Sequence, residues 1–516
     1  MSRKNGGIIG PANTPVGGLF KGVAGGVWRM NDVLDFVSNS QWPKAPENID
    51  NSLRFNDDDS ANLTKTDSSS NRKTFTYSAW VKKSQAKTDT DSNMIFNNAA
   101  DESNQFKIEL QGNHASDNND LRIRQMASGS QTVLLRTNRL FRDPSAWYHI
   151  VVAVDTTQST DSNRVKLYVN GVQETSFSSS TYPSQDSDMQ VNVSSSYTTH
   201  IGKRNNSDHY FDGYMAELVF IDGQQLTPSS FGETDSTTGI WKPKKIGAIS
   251  GSGTNSFYLN FKDSSNLGND ASGNGNNFTA NNLTSIDQTT DTCVENYATM
   301  NPLDNYLQSS TFSEGNLKMI TSSSPYNYNS SNFGVSSGKW YCEVKMTAHS
   351  ETDGNNYSMI GITSKLTTST TDYLGQNASD WSYNAFDGKY RNNGSNTSYG
   401  NSYAVGDIIG IALDLDNNKL YFSKNGTFQN SGVPTSGSTG TGAISITAAA
   451  STPIGAYFIA IGYYDGSDTG TFEFNSGNPS FSISSGNADA NGFGNFEYSV
   501  PSGYYALNTS NLNTYG

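Results

Sequence analysis

The chain has 516 residues, carries 48 acidic against 34 Lys and Arg side chains for a net charge of −14, and is 34% hydrophobic and 11% aromatic. That length predicts two or three domains, each able to bury its own core. The acidic balance, with no dense Lys/Arg cluster along the chain, argues against nucleic acid as a partner, because phosphates need a basic stripe; with no run of about 20 apolar residues, membrane insertion is not expected.

Tyr, Phe and Trp recur between runs of Ser, Thr, Asn and Gly. This is strand-and-turn chemistry, since disordered segments are poor in aromatics. The two cysteines, Cys293 and Cys342, have neither metal-ligand spacing nor the density of a disulfide scaffold and read as free thiols or buried fillers. Arg3 and Lys4 precede no apolar run of a secretory signal, so folding in a cytoplasm is expected.

Residues 1–46 read as an arm: G-G-I-I-G-P-A-N-T-P-V-G-G is turn-rich and too poor in apolar residues to form a core. Asn31 is placed to cap a short helix carrying Val33, Leu34 and Val37, which ends before Trp42-Pro43. Trp28, Phe36 and Trp42 then need a surface, on another protein or on the following domain, because an apolar patch seldom stays bare.

Residues 47–240 read as a β-sandwich. S-L-R-F-N opens it at Ser52, F-T-Y-S-A-W-V-K-K (Phe75 to Lys83) alternates strongly, and F-K-I-E-L and L-R-I-R-Q follow. W-Y-H-I-V-V-A-V-D runs on to V-K-L-Y-V-N-G (Trp147 to Gly171), a hairpin whose Leu167 and Val169 face the core while Lys and Tyr neighbours face out, ending at Asn-Gly. Thr227-Pro228-Ser229-Ser230 reads as the cap and first turn of a short helix. Asp57, Asp58 and Asp59 share one turn, which is read first as a solvated acidic loop, with Ca²⁺ ligation by the three carboxylates as the alternative; no other cofactor is expected. His209, Tyr210 and Asp212 form a candidate binding rim.

Residues 241–316 read as a connector with strands, F-Y-L-N-F (Phe257 to Phe261) among them, and 317–516 as a second sandwich. Here G-K-W-Y-C-E-V-K-M (Gly338 to Met346), M-I-G-I-T and F-I-A-I-G-Y-Y-D flank a second hairpin, G-D-I-I-G-I-A-L-D-L-D running on to K-L-Y-F-S-K-N-G (Gly406 to Gly426). Ile409, Ile411, Leu413 and Leu415 point one way and Ile408, Gly410 and Ala412 the other, the signature of a half-buried strand. Trp381, Tyr383 and Tyr390 in D-W-S-Y-N-A-F-D-G-K-Y-R-N-N-G are the candidate ligand-stacking residues, but core packing is the favoured reading because large aromatics are usually buried.

The predicted class is all-β, two antiparallel sandwiches in tandem with at most short helices. A-W-V-K, the Trp147 to Gly171 hairpin and F-D-G-Y-M-A-E-L, in this order over roughly Ser52 to Gly232, resemble the laminin-G-like, concanavalin-type jelly roll. K-W-Y-C-E-V and the Gly406 to Gly426 hairpin resemble a SPRY domain over roughly Asn316 to Gly503. The arm's I-I-G-P-A-N-T-P, F-I-D-G-Q-Q-L-T-P-S-S-F-G-E followed by I-W-K-P-K-K, and the closing Y-Y-A-L-N-T-S-N-L resemble tail, fibre or capsid-surface proteins of marine tailed bacteriophages.

That last resemblance implies a virion-surface protein made in the host cytoplasm. Its arm would dock on other virion proteins through Trp28, Phe36 and Trp42, and its sandwiches, in multiple copies or as a homo-oligomer, would meet host-surface glycan or protein. A purely structural cement subunit is the alternative. Catalysis is not expected. A jelly-roll glycosidase needs two carboxylates about 5 to 5.5 Å apart, and the nearest run, Glu351-Thr352-Asp353, has no second Glu after it; the five His are scattered.

Overall fold

The computed structural model describes residues 49–516 except 85–91, 115–116, 207–208, 237, 248, 250–252, 306–308, 324–325, 351–353, 366–368, 370 and 465–467; the arm with Trp28, Phe36 and Trp42, and the Glu351 to Asp353 run, lie outside the described residues. Among the described residues the only α-helix is Thr509–Tyr515, so the expected class holds.

Alternating strands build the first sandwich. One sheet runs Val172–Glu174, Val165–Val169, Tyr148–Asp155, Thr74–Lys83, Gly213–Asp222, Ser52–Phe55 and Gln288–Thr289, with Phe257–Leu259 also pairing Gly213–Asp222. The facing sheet runs Phe177–Thr181, Ser130–Leu140, Asp120–Ala127, Asn104–Gln111, Ser92–Asp101, Thr198–Ile201, Asn62–Thr66 and Thr279–Asn281. Phe75 and Phe96, from opposite sheets, both stack on Phe220, at 5.6 and 6.0 Å between centroids, and tie the layers together. Three strands from within 241–316, Phe257–Leu259, Thr279–Asn281 and Gln288–Thr289, complete this sandwich.

The second sandwich pairs a sheet ordered Thr311–Ser313, Lys318–Ile320, Gly470–Asn475, Lys339–His349, Ile408–Asp414, Lys419–Lys424 and Thr427–Phe428 with one ordered Asn327–Val335, Tyr457–Tyr463, Ser358–Thr363, Asp380–Asn384, Lys389–Asn392 and Ser395–Ser398. Both hairpins end as their Asn-Gly dipeptides require. Asn170 and Gly171 have φ of 48° and 80°, and Asn425 and Gly426 have 48° and 78°. Positive φ at both central residues is the type I′ geometry whose twist matches the flanking strands.

The half-buried reading of these hairpins needs correction. Ile409, Ile411, Leu413 and Leu415 do enter the core, but the opposite face is covered too. Ala412 and Tyr421 are buried with Tyr297, Phe496 and Tyr504, because the chain returns over that face before its C-terminus. In the first sandwich Tyr168 is likewise buried with Val151, Val219, Phe231 and Ile249. Tyr168 and Tyr421 therefore point away from the inter-sheet core without reaching solvent. Pro228–Ser230 forms a single 3₁₀ turn in place of the predicted helix, and Thr227 makes no capping hydrogen bond to its backbone.

The two sandwiches meet along a polar seam. Buried Arg54 pairs with Glu314 at 3.1 Å and Asp287 at 3.3 Å, Tyr214 donates its hydroxyl to the Gly315 carbonyl at 3.0 Å, and Asn316 donates to the Ser84 carbonyl at 2.5 Å.

Candidate functional site

Two adjacent strands create a basic face that is invisible as a run along the chain. In Asn104–Gln111 and Asp120–Ala127, Phe106, Ile108, Leu110, Leu121 and Ile123 enter the core. Period-two alternation therefore places Lys107, Glu109, Arg122 and Arg124 on the outer face. Register aligns them across the sheet: His200 lies opposite Asn97, Asn97 opposite Lys107, and Lys107 opposite Arg124, while Glu109, Arg122 and Arg136 form the next row. Directly opposite side chains sit about 4.5 to 5.5 Å apart. The sequence reading found no dense Lys/Arg cluster; pairing of strands assembles one.

Its charges are partly neutralised. Lys107 pairs with Glu109 at 3.1 Å, and Arg122 and Arg136 share Asp120 at 3.0 and 2.5 Å. Arg124 pairs with no carboxylate among the described residues, and its Nε has no hydrogen-bond acceptor. Burial lowers the pKa of Lys107; Glu109 opposes that shift, while Arg124 and Arg204 add to it. Burial, assisted by Lys203, brings His200 down to about 4, so its ring is neutral at physiological pH; its Nδ1 is buried without a partner. The surplus of fixed donors and positive charge suits carboxylate or sulfate groups, which guanidinium groups grip in bidentate fashion.

Residues 203–206 and 209–212 frame this face. The Asn205 backbone N–H donates to Asn97 Oδ1 at 2.8 Å, Arg204 reaches Glu102 at 3.4 Å and the His209 ring at 3.4 Å, and Lys203 Nζ stands 5.9 Å from the Tyr210 ring centroid. His209 and Tyr210, both half-buried, thus lie on the loop bordering the face. Asp212 does not form a rim: it is fully buried, its backbone N–H donating to Asn93 Oδ1 at 3.0 Å.

The other predicted positions are placed differently. Trp381 and Tyr383 are core residues, Trp381 edge-on to Tyr457 at 5.7 Å and Tyr383 stacked on Phe422 at 5.3 Å, so neither ring offers a face to a ligand. Tyr390 is half-buried, edge-on to Tyr399 at 6.0 Å. Asp57, Asp58 and Asp59 lie in one turn without converging: Asp59 accepts from Asn56, whose amide also bonds Glu314, and among the described residues no three His, Cys, Asp or Glu side chains are gathered as a metal site. Cys293 and Cys342 are free, and burial raises both thiol pKa values.

Alternation within L-R-I-R-Q and F-K-I-E-L is the signal that would have found the basic face, had the two segments been read as neighbours. Nothing local says that they are.

Comparison with known proteins matches residues 55–230 to a laminin-G model described as the concanavalin A-like lectin/glucanases superfamily, and residues 339–459 to the SPRY domain model. Among solved structures, the SPRY domain of human HERC1 is 16% identical over 34% of this chain and 96% of its own, with a TM-score of 0.24. The PSpry domain of TRIM65 is 13% identical over 34% of this chain and 91% of its own, with a TM-score of 0.24. Domain 4 of AbnA, a GH43 extracellular arabinanase from Geobacillus stearothermophilus solved with arabinotriose, is 25% identical over 31% of this chain and 65% of its own, with a TM-score of 0.22. No curated protein matches the chain. A concanavalin-like domain and a SPRY domain thus stand in tandem.

Proposed function

We propose that this protein is a surface component of a tailed-phage particle that binds, without catalysing a reaction, acidic polysaccharide on the host through the basic face of its first sandwich. The observation that carries the binding part is the gathering of Arg122, Arg124, Arg136 and Arg204 around one sheet face, beside the buried Lys107–Glu109 pair, in a chain of net charge −14. An acidic molecule is repelled by an acidic polymer except where cations are concentrated, so the face sets where and how such a polymer docks. The match to a lectin-bearing superfamily supports a glycan as the partner. The placement on a virion rests on the resemblance of the arm and closing motifs to phage surface proteins. There, many tethered copies raise avidity by about 10² to 10⁴ over a weak single contact.

The test is a glycan array probed with the full chain, followed by titration of the best polymer. Uronate- or sulfate-bearing glycans are expected to bind and neutral ones to bind less. Arg124→Ala is expected to weaken binding about tenfold, and raised salt to weaken it further. Binding that ignores charge and salt would reject the basic face. Equal binding of double-stranded DNA of matched charge would reject a glycan-specific role, silence throughout would favour a cement subunit, and release of reducing sugar from the bound polymer would reveal catalysis.

A further inference from the structure

The second sandwich carries a cleft that uses the opposite side of the segment read from sequence. Strand Asp380–Asn384 sends Trp381 and Tyr383 into the core. Asn384, and beyond the turn Phe386, Asp387 and Arg391, line a shallow cleft with Tyr357 and Tyr464, floored by Met359.

Three observations point to a ligand. Phe386 is 52% exposed and lies 5.6 Å from Tyr357 at 33°, an open aromatic surface where a large apolar ring would otherwise be expected inside. The Arg391 guanidinium is held over Tyr464 at 4.5 Å and near Tyr373 at 5.6 Å, with Nε bonded to Asn396 at 2.6 Å, so the group is held beside the cleft. Asn384 is only 5% exposed; its Oδ1 accepts from Ser382 at 3.0 Å, while its Nδ2 is buried with no partner. A buried amide donor left unmade is costly, which favours an acceptor arriving from outside.

We propose that this cleft is a stacking site for one pyranose unit of a neutral oligosaccharide. A pyranose presents an apolar C–H face and a rim of hydroxyls. Phe386 and Tyr357 suit the face, while the Asn384 amide and the Arg391 guanidinium suit hydroxyls at its edge. Asp387 is paired with Lys389 at 3.1 Å, which leaves one guanidinium charge beside the cleft, so stacking on the two rings rather than a cluster of charge is what the cleft offers. The site stands independently of that basic face.

The experiment is saturation-transfer NMR on the full chain with glucose-, galactose- and mannose-based neutral tetrasaccharides, and with a set of uncharged tetrapeptides. At least one sugar is expected to receive transfer, concentrated on the C–H protons of a single ring. Phe386→Ala, at an exposed position, is expected to weaken it about tenfold with the melting temperature retained, and Asn384→Ala to weaken it in the same direction. Arg124→Ala, on the other sandwich, is expected to leave it unchanged. Silence from all three sugars, transfer that survives Phe386→Ala, or transfer to the peptides alone would overturn the proposal.

Discussion

Lys82 and Asp291 face each other at 2.8 Å with side chains 1% and 0% exposed, an ion pair sealed where the chain leaves the first sandwich for the second. Asp291 also accepts from Trp147 Nε1 at 3.1 Å, and Lys82 also donates to Asn296 at 2.7 Å, so both charges are satisfied on several sides. Burial raises the Asp291 pKa and Lys82 opposes that shift.

Breaking the pair one-sidedly should therefore hurt more than removing it. Lys82→Met leaves a buried carboxylate uncompensated and is expected to cost about 3 to 5 kcal/mol; combining it with Asp291→Leu is expected to recover most of that. Urea unfolding of the two variants and the parent measures the difference. A double variant no more stable than the single one would contradict this account.

His149 gives the first sandwich an acid limit. Its ring lies between Trp80 at 4.8 Å and Trp241 at 5.9 Å, accepts from Trp241 Nε1 at 3.0 Å through Nδ1, and meets Ser78 at 2.8 Å. Burial drives its pKa from 6.5 down to about 3. Because the folded value lies below the unfolded one, its contribution is whole above pH 6.5 and is lost as pH falls through about 3, amounting to up to about 5 kcal/mol. His200, lowered to about 4, acts with the same sign. Denaturant midpoints from pH 7 to 3.5 should fall steeply in the parent and less in His149→Gln; parallel curves would exclude His149 as the cause.

Glu295 has the opposite sign. It accepts from the Ser510 backbone N–H at 3.1 Å and from the Ser510 hydroxyl, holding the first turn of Thr509–Tyr515, and burial raises its pKa from 4.5 to about 6. Its contribution is present below pH 4.5 and lost as pH rises through about 6. Glu295→Gln is thus expected to be more stable than the parent above pH 6, by at most about 2 kcal/mol, with the gap closing near pH 4.5. Thermal melts across that range would show it.

Gly315 should tolerate no side chain. Its φ is +66°, and a Cβ there would stand 2.1 Å from the Tyr214 hydroxyl that bonds its own carbonyl. Gly503, at φ +81°, has nothing within 4 Å of such an atom. Gly503→Ala is expected to cost about 1 kcal/mol of backbone strain, and Gly315→Ala at least about 2 kcal/mol because packing across the seam is added to it. Equal losses in differential scanning calorimetry would show that the seam yields freely.

Much of the architecture was legible because it is written locally. Alternation in Y-H-I-V-V-A-V-D and I-I-G-I-A-L-D marked strands that form, and Asn170-Gly171 and Asn425-Gly426 marked turns with the expected positive φ. The candidate sites were less legible. In D-W-S-Y-N-A-F-D-G-K-Y-R, Trp381 and Tyr383 are large rings that fill the core, as the core-packing reading had it, while Phe386 and Arg391 remain at the surface.

The amino-acid order by itself determined the strands, their turns and the two-sandwich class, because side-chain alternation and turn propensity act within a few residues. Only the tertiary structure decided that Tyr168 and Tyr421 are covered, that Asp291 meets Lys82, and that Lys107 stands beside Arg124. Those outcomes depend on which strands become neighbours and where returning loops settle, and both are properties of long-range packing that no short window of sequence contains.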